Sequence, residues 1–180
     1  MTKRQSLRAF DDDAIAAEET PAAEPSPAQH RPRPAAPTPA ATSSSSDVRT
    51  GIYLQADTFA AAKSAYIADF ETIPASPDTF AGWVASVFDR HAGRTPEKRA
   101  ELASRLQAES PGDGVNRSFT LPADTLEHMH QAIAADRRAG RVTSRSQFAS
   151  EAIRSATEEA RLRAGGALPP APPRLPNKMR

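Results

Sequence analysis

Two stretches of the chain alternate apolar and polar residues with a period of two. In Asn116–Arg117–Ser118–Phe119–Thr120–Leu121–Pro122, Phe119 and Leu121 fall on one face and Asn116, Ser118 and Thr120 on the other. That period predicts a short strand with one buried face and one face of small hydrogen-bonding side chains. Pro122 ends the strand, and Asp124 is placed to cap a helix that starts at once. A lone strand leaves its edge groups unpaired, so a second strand is required beside it. Arg49–Thr50–Gly51–Ile52–Tyr53–Leu54 is the second alternating stretch, with Thr50, Ile52 and Leu54 on one face and Arg49, Gly51 and Tyr53 on the other. The partner of 116–122 is either this stretch or a copy of 116–122 from a second chain.

Each strand precedes two segments of helical period. After Leu54, Asp57 or Thr58 opens a helix whose stripe is Phe59, Ala62, Tyr66, Ile67 and Phe70. Ile73–Asp78 breaks it. A second helix is expected over Asp78–Ala92, burying Phe80, Trp83, Val84, Val87 and Phe88, with Gly93 as its C-terminal signal. Thr95–Pro96–Glu97 starts a third helix that runs to about Ala108. Its polar composition, with Leu102 and Leu106 one turn apart, reads as a packed linker, and Ser110–Gly114 ends it. After Leu121 the pattern recurs: Leu126, Met129 and Ile133 stripe a helix over Asp124–Arg138, and Gly140 ends it. Thr143–Ser146 caps another helix, with Phe148, Ala149, Ala152, Ile153 and Ala156 facing inward. Leu54 and Leu121 align at an offset of 67 residues, Phe80 and Phe148 at 68, which reads as an internal duplication.

One strand–helix–helix unit of about 50 residues has too little core to stand alone. Two copies can pair their strands antiparallel and interlock their helices beneath. The expected fold class is mainly α with a short two-stranded antiparallel ribbon, built from tandem units and flanked by disordered tails.

Composition sets the limits of the folded part. Of 17 prolines, seven lie in residues 1–47 and five in 167–180, whereas nine of the ten aromatics lie between. Such tails bury too little apolar surface to offset the entropy of ordering them. The expected organisation is a disordered N-terminal tail with a basic tip (1–47), a first strand–helix–helix unit (48–93), a helical linker (94–114), a second unit (115–166) and a disordered, basic, Pro-rich tail (167–180). The formal net charge of +1 hides a gradient. Residues 1–47 and 48–114 each carry an excess of two acidic residues. Residues 115–166 carry eight basic against six acidic residues, and the last segment adds three basic residues. The basic end suits a polyanion.

Several chemistries find no support. With no cysteine there is no disulfide framework, thiol nucleophile or Cys-based zinc site. No apolar run approaches the length of a membrane span, and the N-terminus has no apolar signal region, so a cytoplasmic protein without membrane contact is expected. His128 and His130 are two apart, which points them in different directions on a helix. Asp11–Asp13 stand beside no phosphate loop. No catalytic constellation or cofactor motif is recognisable, so the chain reads as a non-enzyme. A two-stranded ribbon, by contrast, fits the B-DNA major groove, where outward side chains reach base edges.

The second unit resembles the ribbon-helix-helix family: Arg117-Ser118-Phe119-Thr120-Leu121-Pro122, a helix, then Thr143-Ser144-Arg145-Ser146-Gln147-Phe148 with Glu151-Ala152-Ile153 follow that family's order. The resemblance implies that Asn116, Ser118 and Thr120 read bases. It also implies that the amides of Ser144–Ser146, the Ser144 and Ser146 hydroxyls and Arg145 hold phosphate, as a helix N-terminus favours an anion. The first unit departs from the pattern. Arg49 and Tyr53 face outward, Gly51 offers nothing to read, and Asp78 stands where an anchoring donor is wanted. That unit either contacts DNA through Arg49 and Tyr53 or only pairs.

The wider chain, with Lys3-Arg4-Gln5-Ser6-Leu7, the Pro/Ala-rich tether, Gly51-Ile52-Tyr53-Leu54, Arg94-Thr95-Pro96-Glu97-Lys98-Arg99-Ala100 and Leu175-Pro176-Asn177-Lys178, looks like the ParB-named, ribbon-helix-helix partition proteins of actinobacterial plasmids. That resemblance implies double-stranded centromere-like DNA repeats and a ParA-type Walker ATPase as partners, with a plasmid- or nucleoid-associated location. It further implies ATPase stimulation by the N-terminal tip, with Arg4 first and Lys3 and Arg8 behind it, since an arginine supplied in trans stabilises phosphoryl-transfer charge. Homodimers or higher assemblies on DNA remain open. The alternative is a ribbon-helix-helix repressor or antitoxin without an ATPase partner, although neither tail offers the apolar toxin-binding segment that an antitoxin usually carries.

Overall fold

The computed structural model describes residues 46–106, 112 and 114–180. Its elements run β1 (Asp47–Leu54), α1 (Ala56–Thr72), α2 (Phe80–Ala92), α3 (Pro96–Arg105), β2 (Val115–Pro122), α4 (Ala123–Arg138) and α5 (Arg145–Arg163). The described fold is therefore mainly helical, with five helices and one two-stranded antiparallel sheet. The expected N-terminal tail, but for Ser46 and Asp47, lies outside the described residues, as does the continuation of α3 towards Ala108.

The two alternating stretches pair with each other. Arg49 lies opposite Thr120, Gly51 opposite Ser118 and Tyr53 opposite Asn116. Strand side chains alternate between faces, so this register sends Thr50, Ile52, Leu54, Phe119 and Leu121 to the buried side together. A slip of one residue would turn the inward set of the slipped strand to solvent. Beneath them, α2 and α5 carry Trp83, Val84, Phe88, Ala149, Ala152 and Ile153 into a shared core. The helices cross between halves: α1 packs on α5, and α2 packs on α4. Ala62 and Ala65 on α1, with Ala149, Ala152, Ala156 and Ala160 on α5, are buried small residues that suit close approach. Asp69 joins three helices by accepting from Trp83 Nε1 at 2.9 Å and from Arg163 Nη2 at 2.6 Å.

Several helix ends differ from expectation. Neither Asp57 nor Asp124 caps its helix; Gln55 and Pro122 hold the N-cap positions of α1 and α4 without a side-chain cap. The second helix starts at Phe80 rather than at Asp78, with Thr79 as its cap accepting from the Gly82 N–H, and Ser144 caps α5, accepting from the Gln147 N–H. The caps also correct the alignment of the second helices. Thr79 and Ser144 are 65 positions apart (79 to 144), which matches Trp83 with Phe148 and Val87 with Ala152. Phe80 thus corresponds to Arg145, not to Phe148. Gly93 does follow α2, but in right-handed helical geometry, whereas Gly140 takes φ +86° after α4.

The linker helix is held by an arginine rather than by its leucines. Arg99 is 1 % exposed and meets the carboxylate of Asp136, 0 % exposed, at 2.7 Å. Its guanidinium also donates to the carbonyls of Ala92, Arg94 and Ala132. The left-handed turn at Gly140 brings Arg141 back over α4. There its guanidinium meets Asp136 at 2.9 Å and Glu151 at 2.8 Å. Burial by itself raises the Asp136 carboxyl, but hydrogen bonds and charge from Arg99 and Arg141 override it and hold that carboxyl below its usual range.

The C-terminal segment corrects the expectation of a disordered tail. Leu168, Leu175 and Met179 are partly buried against the core. The Met179 N–H donates to the Asp78 carbonyl at 2.7 Å, Lys178 pairs with the Asp78 carboxylate at 2.7 Å, and Lys63 donates to the Pro172 and Pro173 carbonyls. Proline fixes φ, so a Pro-rich segment has less conformational entropy to lose when it docks.

Candidate nucleic-acid interface

The register places Arg49, Tyr53, Asn116, Ser118 and Thr120 on the same outward face of the ribbon, and all five are exposed. Gly51 sits among them and has a defined use. A Cβ there would lie 2.7 Å from Asn116 Oδ1, so the Asn116 amide lies across the space that Gly51 leaves empty. Tyr53 is 50 % exposed, with one ring edge against Gly114, where a Cβ would overlap the ring. The face therefore presents one guanidinium, one phenol, one carboxamide and two hydroxyls. This set both donates and accepts, as a reader of base edges must.

Arg117 belongs to the other side. It shares the face of Phe119 and Leu121, and its guanidinium lies 4.5 Å from the centroid of the Phe59 ring. The ring's negative face offers favourable surroundings to a cation that is half withdrawn from water.

At the β1 side of the ribbon stands the N-terminus of α5. Ser146 Oγ accepts from the Tyr53 N–H at 3.2 Å, which satisfies a donor on the open edge of β1 and fixes the helix end against the strand. Arg145 Nη1 lies 3.4 Å from Thr50 Oγ1. Ser144 Oγ is the cap acceptor for Gln147 N–H at 3.1 Å, and its carbonyl takes the Phe148 N–H. The hydroxyls of Ser144 and Ser146 thus already accept protein hydrogen bonds, and the O–H of each is the group it can offer to an anion. The amides of Arg145 and Ser146 occupy the first turn, where a helix has no internal acceptor to give them.

The α2 end is built differently. Phe80 and Ala81 hold the positions that Arg145 and Ser146 hold on α5. The Phe80 ring packs against Phe59, Tyr66, Trp83 and Phe119 at centroid distances of 5.6–6.4 Å. Asp78, expected to stand where an anchoring donor is wanted, is the residue before the Thr79 cap and is paired with Lys178, whose ammonium that hydrogen bond and charge push up from its usual range.

The histidines do not converge. His128 Nδ1 lies 3.0 Å from Asp89 on the surface, and His91 is buried against Phe148. Among the described residues no group of three or more His, Asp or Glu side chains is placed to hold a metal ion, and no helix is long and apolar enough to cross a membrane. Lys3, Arg4 and Arg8 lie outside the described residues. Lys63 and Arg174 line the cleft beside Thr120. Sequence reasoning leaves open whether Arg174, Lys178 and Arg180 touch phosphate and does not single out Lys63, a lone cation on α1. The chain matches no protein-family model, no curated protein and no solved structure with which it was compared.

Proposed function

We propose that the chain is a sequence-specific DNA-binding adaptor of plasmid partition, built as tandem ribbon-helix-helix units in one polypeptide. The observation that carries this reading is the outward ribbon face, where five hydrogen-bonding side chains stand exposed beside a helix N-terminus fixed to the strand edge. The ribbon enters the major groove. Asn116, Ser118 and Thr120, with Arg49 and Tyr53 opposite, meet base edges, and the α5 N-terminus with Arg145 holds a backbone phosphate. Pairing unlike strands makes the two halves of the reading face different, so the target is an asymmetric element rather than a palindrome.

In this reading the DNA is a centromere-like repeat and the partner is a ParA-type ATPase. The basic residues Lys3, Arg4 and Arg8 stimulate it from the end of the Pro/Ala-rich stretch. Tandem repeats gather many such tips on one DNA molecule and raise their effective concentration at the ATPase.

The test is selection of bound duplexes from a randomised library with the full chain, followed by gel shifts with the Ser118→Ala, Thr120→Ala double variant. Each lost good base contact costs roughly 1–3 kcal/mol on the selected sequence, with little change on unrelated duplex. An unaltered sequence preference in that variant removes these residues from the reading role.

A further inference from the structure

The two ends of the ribbon are unequally equipped for a phosphate. At the α5 end, the first helical turn carries Arg145 and Ser146. At the α2 end, the same positions are Phe80 and Ala81, and the residue before the cap is the carboxylate Asp78. A protein that straddles a groove needs backbone contacts on both flanks to hold its register.

The C-terminal segment lies at the deficient end. It is pinned there by Lys178 and by the Met179 N–H, both on Asp78, and by Lys63 through the carbonyls of Pro172 and Pro173. Lys178 pairs with the Asp78 carboxylate, which would otherwise repel a phosphate beside α2. Between this segment and the ribbon runs a cleft of about 790 Å³, lined by Asp47, Thr120 and Pro122 of the ribbon, by Lys63 and by Arg174. Arg174 is exposed and makes no hydrogen bond or ion pair with a described residue. Two cations thus face one carboxylate, Asp47, in a cleft that ends on the reading face. Arg174 stands between Pro173 and Leu175, so a stiff residue and a partly buried residue flank it and its backbone is held in place.

We propose that the C-terminal segment replaces the missing helix-end anchor: Arg174, supported by Lys63, binds a DNA backbone phosphate on the flank opposite to that held by Arg145. This inference rests on the DNA-binding reading and adds a contact residue to it. The segment is then part of the interface, and the chain grips both flanks of an asymmetric site with two unrelated devices.

The experiment compares the full-length wild type with Arg174→Gln and Arg145→Gln on a duplex selected by the wild type and on a mixed-sequence duplex, over a range of salt. Losing one phosphate contact makes the slope of log K against log salt shallower by about 0.9. We expect that change in both variants, with weaker binding on both duplexes and the same sequence preference. Phosphate-ethylation interference should lose its signal on opposite flanks in the two variants. Denaturant midpoints equal to wild type confirm that the fold is intact, as expected for the exposed Arg174 and for Arg145, whose one hydrogen bond to Thr50 is long. An unchanged slope and unchanged ethylation pattern in Arg174→Gln, with the expected loss in Arg145→Gln, overturns the C-terminal anchor and leaves DNA reading in place. Failure of the wild type to enrich any duplex overturns the DNA reading itself, and the anchor with it.

Discussion

His91 makes the stability of this fold fall as the solution becomes mildly acidic. The ring is 1 % exposed and lies edge-on to Phe148, with ring centres 4.9 Å apart. Arg94 Nη1 lies 3.0 Å from His91 Nδ1. An arginine can only donate, so Nδ1 accepts and the proton of the neutral ring sits on Nε2, which has no partner. Burial, reinforced by the charges of Arg94, Arg99 and Arg141 against the single opposing charge of Asp136, lowers the imidazolium pKa from 6.5 to about 3. The unfolded chain therefore binds this proton near pH 6.5 and the folded chain only near pH 3. Below pH 6.5 the unfolded state holds more protons, so stability is fully present above that value and is lost as pH falls towards 3. Each unit of pH in this window costs about 1.4 kcal/mol, or about 2 kcal/mol between pH 7 and pH 5. That is a large share of the roughly 5–15 kcal/mol that a domain has. The depressed carboxyl of Asp136 contributes only at lower pH, near and below its ordinary value of 3.8. Urea unfolding at pH 7, 6 and 5 measures the slope. His91→Asn keeps an acceptor for Arg94 but removes the titration, and the exposed histidines common to both proteins cancel in the comparison. Equal pH slopes in wild type and His91→Asn would refute the reasoning.

Three further outcomes are expected. Arg99→Met leaves Asp136 buried with one arginine fewer and destabilises by about 3–5 kcal/mol in urea titrations, whereas Arg99→Met with Asp136→Leu recovers part of that loss. If the double variant is no better than the single one, the pair is not coupled as described. Gly51→Ala pushes the Asn116 amide out of its place, so duplex binding should lose selectivity at one base pair with little change in thermal stability; unchanged selectivity would mean that Asn116 reads nothing. Deleting residues 1–10 should leave DNA binding intact and abolish ATPase stimulation in a coupled phosphate-release assay, and stimulation that survives would remove Lys3, Arg4 and Arg8 from that role.

The parts of this fold that were legible in sequence are those governed by local periodicity. Alternation at 49–54 and 116–121 fixes which side chains point outward, because a pleated strand allows no other arrangement once one face is buried. What escaped is tertiary. Nothing in the local pattern singles out Arg99 or Asp136 for burial, and only their convergence, 37 positions apart in sequence, makes it tolerable. Matching Phe80 with Phe148 follows residue identity, whereas aligning the cap hydroxyls of Thr79 and Ser144 sets Trp83 against Phe148. The C-terminal segment was misread because composition counts its prolines as breakers and overlooks how little entropy a stiff segment loses when Leu168, Leu175 and Met179 find a core.

The ribbon joins two strands of the same polypeptide, and this makes its assembly independent of dilution. A ribbon shared between two identical chains comes apart as the protein becomes scarce, because its formation is second order. Here the outward face of the ribbon forms within each molecule, at any copy number. In a symmetric dimer every substitution alters both halves at once. In this chain a substitution on β1 leaves β2 unchanged, so the two halves of the face can change independently.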